Sequence, residues 1–333
     1  MKKIRIAQIG TSEYSHGASI FRSLVSRPDL FEVVGYALPE GEREKFPGPV
    51  RAFDGYREMT VEEILADPTI EAVAVETEEI YLTKYALRVA RAGKHLHMEK
   101  PGGGELAPFE EMVRLLRERG LAFSVGYMYR FNPAIQAALA RVAAGELGRI
   151  YAVEAHMGGK HGLDQREWLA TLPGGMMFFL GCHLIDLIYR IQGEPQEVIP
   201  LSASTGIDGV SSIDYGMVAL RYPNGVSFAK TCDEELGGFM RRQLVICGER
   251  GTIEIRPLEA YAADGSMYSP THECRDDAWL AAWQTEEGAH YERYGAMMQN
   301  FAELVRGKEN PYSYDYELSL YRLILKSCGK EIV

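Results

Sequence analysis

The first third of the chain alternates short apolar runs with apolar residues at helical spacing. Ile4 to Ile9 is a run that stops at Gly10, the pattern of a parallel strand buried on both faces. Ile20, Phe21, Leu24 and Val25 follow at helical spacing and predict a helix over 18–25. Phe31 to Ala37 reads as a second strand. Thr60-Val61-Glu62-Glu63 is a capping box, whose side chains satisfy free backbone N–H groups, so a short helix opens there and stops before Pro68. Ala72 to Val75 is a third strand, Tyr81 to Ala92 a helix closed by Gly93, and His95 to Met98 a fourth strand. Leu106, Phe109, Val113 and Leu116 mark one helix face before Gly120, and Leu121 to Val125 is a fifth strand. Strands separated by helices form a parallel sheet with right-handed crossovers, and such sheets bind ligands beyond the carboxyl ends of their strands. The expectation is a doubly wound α/β domain over residues 1–126.

Beyond residue 127 the pattern changes. Asn132-Pro133 supplies an N-cap and a proline at the first helical position, so a helix runs to about Gly145. Ile150 to Met157, Glu197 to Ser202, Tyr215 to Tyr222, Val226 to Thr231, Gln243 to Cys247 and Thr252 to Ile255 read as strands. Pro223-Asn224-Gly225 and Gly248-Glu249-Arg250-Gly251 are hairpin signals. Leu180 to Ile191, His290 to Arg306 and Tyr316 to Lys326 read as helices. These predict an α+β domain over 127–312 with a largely antiparallel open sheet, while the helix within 313–333 packs back on the first domain. With helices on one face only, the other face predicts a homodimer or homotetramer.

Composition narrows the function classes. A chain of 333 residues exceeds one ordinary core, in keeping with two domains. The formal net charge is −11, from 36 basic and 47 acidic residues. Nucleic acid and anionic membranes both repel such a chain, so neither is an expected partner. The cysteines are Cys182, Cys232, Cys247, Cys274 and Cys328, an odd set without a CxxC spacing. That reads as reduced thiols in the cytoplasm, with no zinc cluster or disulfide framework. No uncharged run approaches the ~20 residues of a membrane span, and the apolar run after Met1-Lys2-Lys3 is short for a signal peptide.

The residues after each strand carry the candidate chemistry. Gly10-Thr11-Ser12-Glu13-Tyr14-Ser15-His16-Gly17 is a degraded glycine loop of the Rossmann type. Gly10 can make the tight turn, Ser12 stands where a second glycine lets backbone approach a pyrophosphate, and the helix behind offers free N–H groups to phosphate. Glu40, after the second strand, is a candidate partner for a ribose, while Arg43 suits a 2′-phosphate, which leaves NAD and NADP both open. His161, Asp164, Arg166 and Trp168 lie before Gly174-Gly175 in a segment that can cover a sugar, with Trp168 stacking on it, or be a plain surface loop. His95 and His97 alternate on one strand face. Strand packing explains them better than a metal, since no third ligand lies nearby, and no metal is expected.

Several stretches, in order and over most of the chain, resemble the glucose-fructose oxidoreductase/inositol dehydrogenase/MocA family. They are Ala92-Gly93-Lys94-His95-Leu96-His97-Met98-Glu99-Lys100-Pro101, Gly126 to Pro133, Gly145-Glu146-Leu147-Gly148-Arg149-Ile150, Gly181-Cys182-His183-Leu184-Ile185-Asp186, and Gly248 to Glu254. The resemblance implies that Lys100, in a cis Lys100–Pro101 linkage, contacts both substrate hydroxyl and cofactor. It implies that His183 is the acid/base residue, since an imidazole with a pKa near neutrality suits removing a hydroxyl proton as hydride leaves the same carbon. Asp186, three residues on and on the same helix face, can orient the imidazole or bind a hydroxyl, and completes the catalytic set. The cofactor set is Gly10, Ser12, Glu13, Tyr14, Glu40, Thr77, Glu99 and Lys100. The substrate set is Lys100, Tyr129, Arg130, Trp168, Phe179 and His183.

The chain also departs from that family. Phe179 stands where an aspartate usually precedes the histidine by four residues. Thr77-Glu78 replaces Thr-Pro, Leu82 a histidine, Ser12 and Ser15 glycines, and Leu38 the ribose-binding aspartate. The expected activity is an NAD- or NADP-dependent hydride transfer to or from a sugar, polyol or related hydroxy compound. Phe179 points to a less polar or differently oriented substrate. The alternative is a member without net redox turnover that retains its cofactor, a lyase, hydrolase or sugar sensor.

Overall fold

The structure, a computed structural model, describes residues 2–332. Its strands are β1 Ile4–Ile9, β2 Phe31–Ala37, β3 Ala72–Val75, β4 His95–Met98, β5 Phe123–Val125, β6 Ile150–Gly158, β7 Glu197–Pro200, β8 Tyr215–Tyr222, β9 Gly225–Cys232, β10 Gln243–Gly248, β11 Gly251–Ile255, β12 Ala260–Tyr261, β13 Met267–Tyr268, β14 Thr271–Cys274 and β15 Gln284–Glu286. The helices are α1 Gly17–Val25, α2 Glu42–Lys45, α3 Pro47–Val50, α4 Val61–Ala66, α5 Leu82–Arg91, α6 Leu106–Glu118, α7 Pro133–Ala143, α8 Leu163–Trp168, α9 Cys182–Gln192, α10 Gly295–Val305 and α11 Tyr314–Ser327. The chain divides into two compact units, residues 1–127 with 294–321, and residues 128–293 with 322–333. This differs from the expected 1–126 and 127–312. The helix α10, expected in the second domain, belongs to the first unit. Phe301 shows why, since its ring lies 5.6 Å from that of His97 on β4.

The first unit holds a five-stranded sheet of order β2-β1-β3-β4-β5, parallel throughout. Every residue of β3 is buried, as a central strand covered on both faces must be. The order reverses between β1 and β3, the switch point at which doubly wound sheets open a crevice for ligands. Helix α4 begins with the full capping box, Thr60 accepting from the Glu63 N–H and Glu63 accepting from the Thr60 N–H. Beside β2 the rings of Phe21, Tyr36 and Phe53 pack with centroids 4.5–6.3 Å apart. Leu38 leans on this cluster, so its position belongs to apolar packing.

The second unit is built on an eight-stranded sheet of order β15-β14-β11-β10-β6-β9-β8-β7. Its neighbours are antiparallel apart from β6 and β9. Both hairpins, β8–β9 and β10–β11, form where the turn residues place them. Val153, Ala155, Val218, Leu220, Ala229, Leu244, Ile246, Ile253 and Ile255 form the buried face, against which α9 and α7 pack. The strands β14 and β15 were not legible in the sequence, because Thr-His-Glu-Cys and Gln-Thr-Glu carry no apolar alternation. Asn132 caps α7 by accepting from the Ala134 and Ile135 N–H groups.

Candidate functional site

In the first unit, the carboxyl ends of β1, β3 and β4 bring together most of the expected cofactor residues. Gly10 has φ +88° and sits against Thr77; a Cβ there would lie 2.3 Å from Thr77 Cγ2, so only glycine lets these two strand ends approach. The loop after Gly10 is braced by its serines. Ser12 Oγ accepts from the N–H groups of Tyr14 (3.1 Å) and Ser15 (2.9 Å), and Ser15 Oγ accepts from those of Ser12 (3.0 Å) and Gly17 (3.2 Å). Helix α1 follows without an acidic residue in its first turn. The serine hydroxyls, which can rotate from accepting to donating, and the nine-residue helix N-terminus suit a phosphate. At the carboxyl end of β2 a groove of 370 Å³ is lined by Leu38, Pro39, Met59, Thr60, Tyr85 and Arg88. The expected residues thus fit a dinucleotide at the loop, with a groove available beside it.

Glu40 and Arg43 lie at this edge but have other partners. Glu40, at φ +61°, accepts from Tyr85 Oη (2.6 Å) and pairs with Lys84. These hydrogen bonds, Lys84 first, hold its carboxyl below the usual range. Arg43 pairs with Glu58 at 2.5 Å. Glu13 is exposed and Tyr14 half-buried.

Around Lys100 the structure shows a buried charge cluster that the sequence reading did not assemble. Glu99 Oε1 accepts the Lys100 N–H (2.9 Å), and Oε2 pairs with His16 Nδ1 (3.1 Å). Burial opposes ionisation of Glu99, yet His16 and Lys100 hold its carboxyl far below the usual range. Lys100 Nζ lies 3.7 Å from Glu79 Oε1, and His97 Nε2 lies 3.5 Å from Glu76 Oε1. Glu76, Glu79, His97, Glu99 and Lys100 are all at most 1% exposed. Neither Glu76 nor Glu79 takes a hydrogen bond from a cationic side chain among the described residues; Glu76 instead comes within reach of the Glu99 carboxyl, and Glu79 of its own backbone N–H. Burial pushes Glu79 up to about 7, and burial together with the Glu99 carboxylate pushes Glu76 well above the usual range. Burial lowers His97 to about 4, so it is neutral at pH 7. The His95–His97 pair divides in the same way, since His95 Nδ1 accepts from the Ala122 N–H. The one sequence signal for this cluster was Glu76-Thr77-Glu78-Glu79, three carboxylates directly after a central strand. The Lys100–Pro101 bond is cis, as the resemblance implied.

In the second unit a π-turn over Met177–Gly181 leads into α9 and carries Phe179 toward the start of the helix that bears His183. Such turns are frequent at functional sites. The double glycine before it is required by packing, because a Cβ on Gly175 would meet Ile213 O at 2.1 Å. Phe179 and Trp168 pack edge to face at 5.3 Å, and Tyr129 and His183 at 5.1 Å. The Tyr129 hydroxyl donates to Glu259 (2.5 Å), a buried carboxylate that also takes Arg242 (2.9 Å) and Arg293 (2.6 Å). Burial and Glu259 hold the Tyr129 phenol well above the usual range, so it stays neutral.

Arg130 and Asp186, both expected to face substrate or imidazole, engage each other. Arg130 Nε lies 3.1 and 3.0 Å from the two Asp186 oxygens and Nη2 lies 2.8 Å from Oδ1, with both side chains buried. The segment 161–168 is also more ordered than a surface loop. Arg166 is buried in α8, with Nη1 2.9 Å from Asp208 and close to Glu234, and Nε 3.6 Å from Asp214, while His161 pairs with Asp233. Trp168 of that segment packs on Phe179.

Comparison with known proteins agrees with this geometry. Residues 4–127 match the family described as "Oxidoreductase family, NAD-binding Rossmann fold", and residues 135–254 match the "GFO/IDH/MocA C-terminal domain". The chain is 29% identical over 200 residues to trans-1,2-dihydrobenzene-1,2-diol dehydrogenase of Bos taurus, covering 58% of this chain and 57% of that one. It is 29% identical over 217 residues to 1,5-anhydro-D-fructose reductase of Ensifer adhaerens, covering 60% and 65%. The aligned part is thus less than two thirds of either relative's length. Among solved structures, levoglucosan dehydrogenase in complex with NADH and levoglucosan superposes with a TM-score of 0.77 over 98% of both chains at 19% identity, a likeness of fold. No helix among the described residues is long and apolar enough to cross a membrane. With both halves matched in order by domains of one family, the chain belongs to the Gfo/Idh/MocA oxidoreductases.

Proposed function

We propose that the protein is an NAD- or NADP-dependent dehydrogenase or reductase that transfers hydride between nicotinamide and a CH–OH carbon of a sugar, polyol or related cyclic hydroxy compound. The observation that carries this reading is Lys100. Its ammonium is buried directly after β4, at the edge where a doubly wound sheet takes its ligand, on the same edge as the Gly10 loop.

Gly10, Ser12, Ser15 and the start of α1 would hold the pyrophosphate, and Thr77, Glu99 and Lys100 would hold the nicotinamide half. The cofactor supplies the hydride acceptor or donor. Lys100 binds the substrate oxygen and stabilises negative charge as it develops there. His183 takes the hydroxyl proton in oxidation and returns it in reduction. Arg130 and Asp186 act as positioning residues, fixing the face of α9 that presents His183. Phe179 and Trp168 provide an apolar wall, which suits a ring with a less polar face. The diol named for the bovine relative and the anhydro sugar named for the Ensifer relative are both cyclic hydroxy compounds and support that substrate class.

The second reading is a member that retains its cofactor without net redox turnover. It is favoured by one observation, the buried Phe179 in place of a carboxylate beside His183. We further propose a cytoplasmic location, on the five free thiols, and a homodimer or homotetramer through the second unit's sheet. The deciding experiment is absorbance of reduced nicotinamide with NAD or NADP and a panel of cyclic diols, polyols and sugars. Substrate-dependent reduction supports the dehydrogenase. Tight cofactor binding with no absorbance change across the panel, in either direction, favours the second reading.

A further inference from the structure

Three carboxyls, Glu76, Glu79 and Glu99, are buried with Lys100 at the carboxyl ends of β3 and β4. We infer that Glu76 and Glu79 form a proton-exchange site that answers to the charge of the nicotinamide ring, releasing a proton when oxidised cofactor binds and keeping it when reduced cofactor binds. This rests on the dinucleotide-binding reading above and assigns to that edge a property beyond holding the cofactor.

The argument is one of charge in a dry place. Glu99 accepts from the Lys100 backbone N–H on one side and pairs with the His16 imidazole on the other, with the Lys100 ammonium also close enough to favour its ionised form. Glu79 has Lys100 Nζ at 3.7 Å, beyond hydrogen-bond distance, and only its own backbone N–H besides to offset burial. Glu76 faces His97, which burial keeps neutral, and the like charge of Glu99 and Glu79. The remaining charged neighbours are Glu78 and its partner Lys45, 3.3 Å apart and nearer the surface. Three ionised carboxylates would therefore exceed the positive charge available to them, and water does not reach them to make up the difference. The cluster relieves this by holding protons on Glu79 and Glu76. An oxidised nicotinamide is a pyridinium cation. Held at this edge as proposed above, it would supply the missing positive charge at low dielectric, which would lower the proton affinity of both carboxyls, and the proton given up would appear in the buffer. A reduced nicotinamide is neutral and leaves the proton in place. No bond of the cofactor changes in this step.

Titration calorimetry with the oxidised and reduced forms of one dinucleotide, at pH 7 in two buffers of different ionisation enthalpy, counts the protons. Because Glu79 sits at about 7, about half a proton or more should be released per oxidised cofactor and close to none per reduced cofactor. Affinity for the oxidised form, relative to the reduced form, should rise several-fold between about pH 6 and 8. A 2′-phosphate, if present, titrates in both forms and cancels from the difference. Glu79→Gln should remove most of the proton difference, and Glu76→Gln should reduce it; melting curves confirm that each variant is folded. Equal proton counts for the two redox forms of the unaltered protein would overturn the inference and leave the dinucleotide reading standing. An undiminished difference in both variants would also overturn it, since Lys100 or His16 would then be the source. Failure of either form to bind at millimolar concentration would remove the dinucleotide reading, and this inference with it.

Discussion

Arg130 and Asp186 form a buried ion pair, with Asp186 one turn beyond His183 on α9. The pair ties the turn at Met128–Phe131, at the start of the second unit, to α9, so it fixes where the imidazole stands. A buried charge left without its partner is costly, by ~3–5 kcal/mol, whereas replacing both charges with apolar groups is often neutral. Arg130→Met and Asp186→Leu should each lower the urea midpoint strongly, and the double variant should recover most of the loss. If Asp186 also acted on the imidazole as a catalytic partner, Asp186→Asn would displace the pH profile of turnover as well as lower the midpoint.

Glu42 offers a separate test of the buried acids. Its carboxyl is buried on α2 and is pushed up to about 9 by burial, with Glu78 and Glu40 adding to the rise and the Thr11 backbone N–H opposing it. The folded state thus binds this proton more tightly than the unfolded chain. Its contribution to stability is complete below the unfolded pKa, near 4.5, and is lost as pH rises through about 9. Across the interval the slope approaches about 1.4 kcal/mol per pH unit for one such group. Urea midpoints at pH 6 and pH 8 should fall with pH in the unaltered protein and fall distinctly less in Glu42→Gln. Parallel curves for the two proteins would show that Glu42 is hydrated in solution.

The parallel strands and their helices were legible because a strand buried on both faces is a plain apolar run and its helix a plain stripe. Ala72 to Val75 and His95 to Met98 have the bounds that the pattern gave. The Lys100 and His183 assignments came from resemblance, and the structure puts Lys100 at the ligand edge. Three things were hidden. A buried carboxyl looks like any surface glutamate in a sequence, so Glu42, Glu76 and Glu79 gave no sign of their depth. The Arg130–Asp186 pair joins residues 56 positions apart, and no local spacing announces it. Residues 294–321 join the first unit because α10 packs by Phe301 against His97, a tertiary contact that composition does not encode.

The outward face of the second unit's sheet is the basis for expecting self-association. Ala219, Phe228, Glu154, Val245 and Glu254 lie in one row across β8, β9, β6, β10 and β11, and each is only half-buried. The apolar members, with Met217 and the exposed Val226, leave a patch that a second copy would cover. Sedimentation at micromolar concentration should give a species larger than a monomer, and Phe228→Arg with Val245→Arg should dissociate it without lowering the melting temperature of the unit. A monomer in the unaltered protein would mean that the two glutamates in the row keep this face in water.

The chemistry turns on Lys100 and His183, and a double-mutant comparison separates shared from independent roles. If Lys100 binds the substrate oxygen while His183 takes its proton, both act on one O–H bond. Lys100→Met should lower turnover ~10²-fold or more with a smaller change in cofactor affinity, and His183→Ala should lower it by a similar factor. The double variant should lose less than the product of the two, because removing either group already disables the same transfer. Phe179 sharpens the prediction. With an aromatic ring where a carboxylate would raise the basicity of His183, oxidation should proceed at any pH where the imidazole is neutral, and its acid limb should lie lower than in Phe179→Asp. Single-turnover hydride transfer across pH, in the four proteins of the cycle and in Phe179→Asp, measures both effects. Unchanged hydride transfer in Lys100→Met would show that the buried lysine only neutralises Glu79 and Glu99, and the reading without net redox turnover would then be the better one.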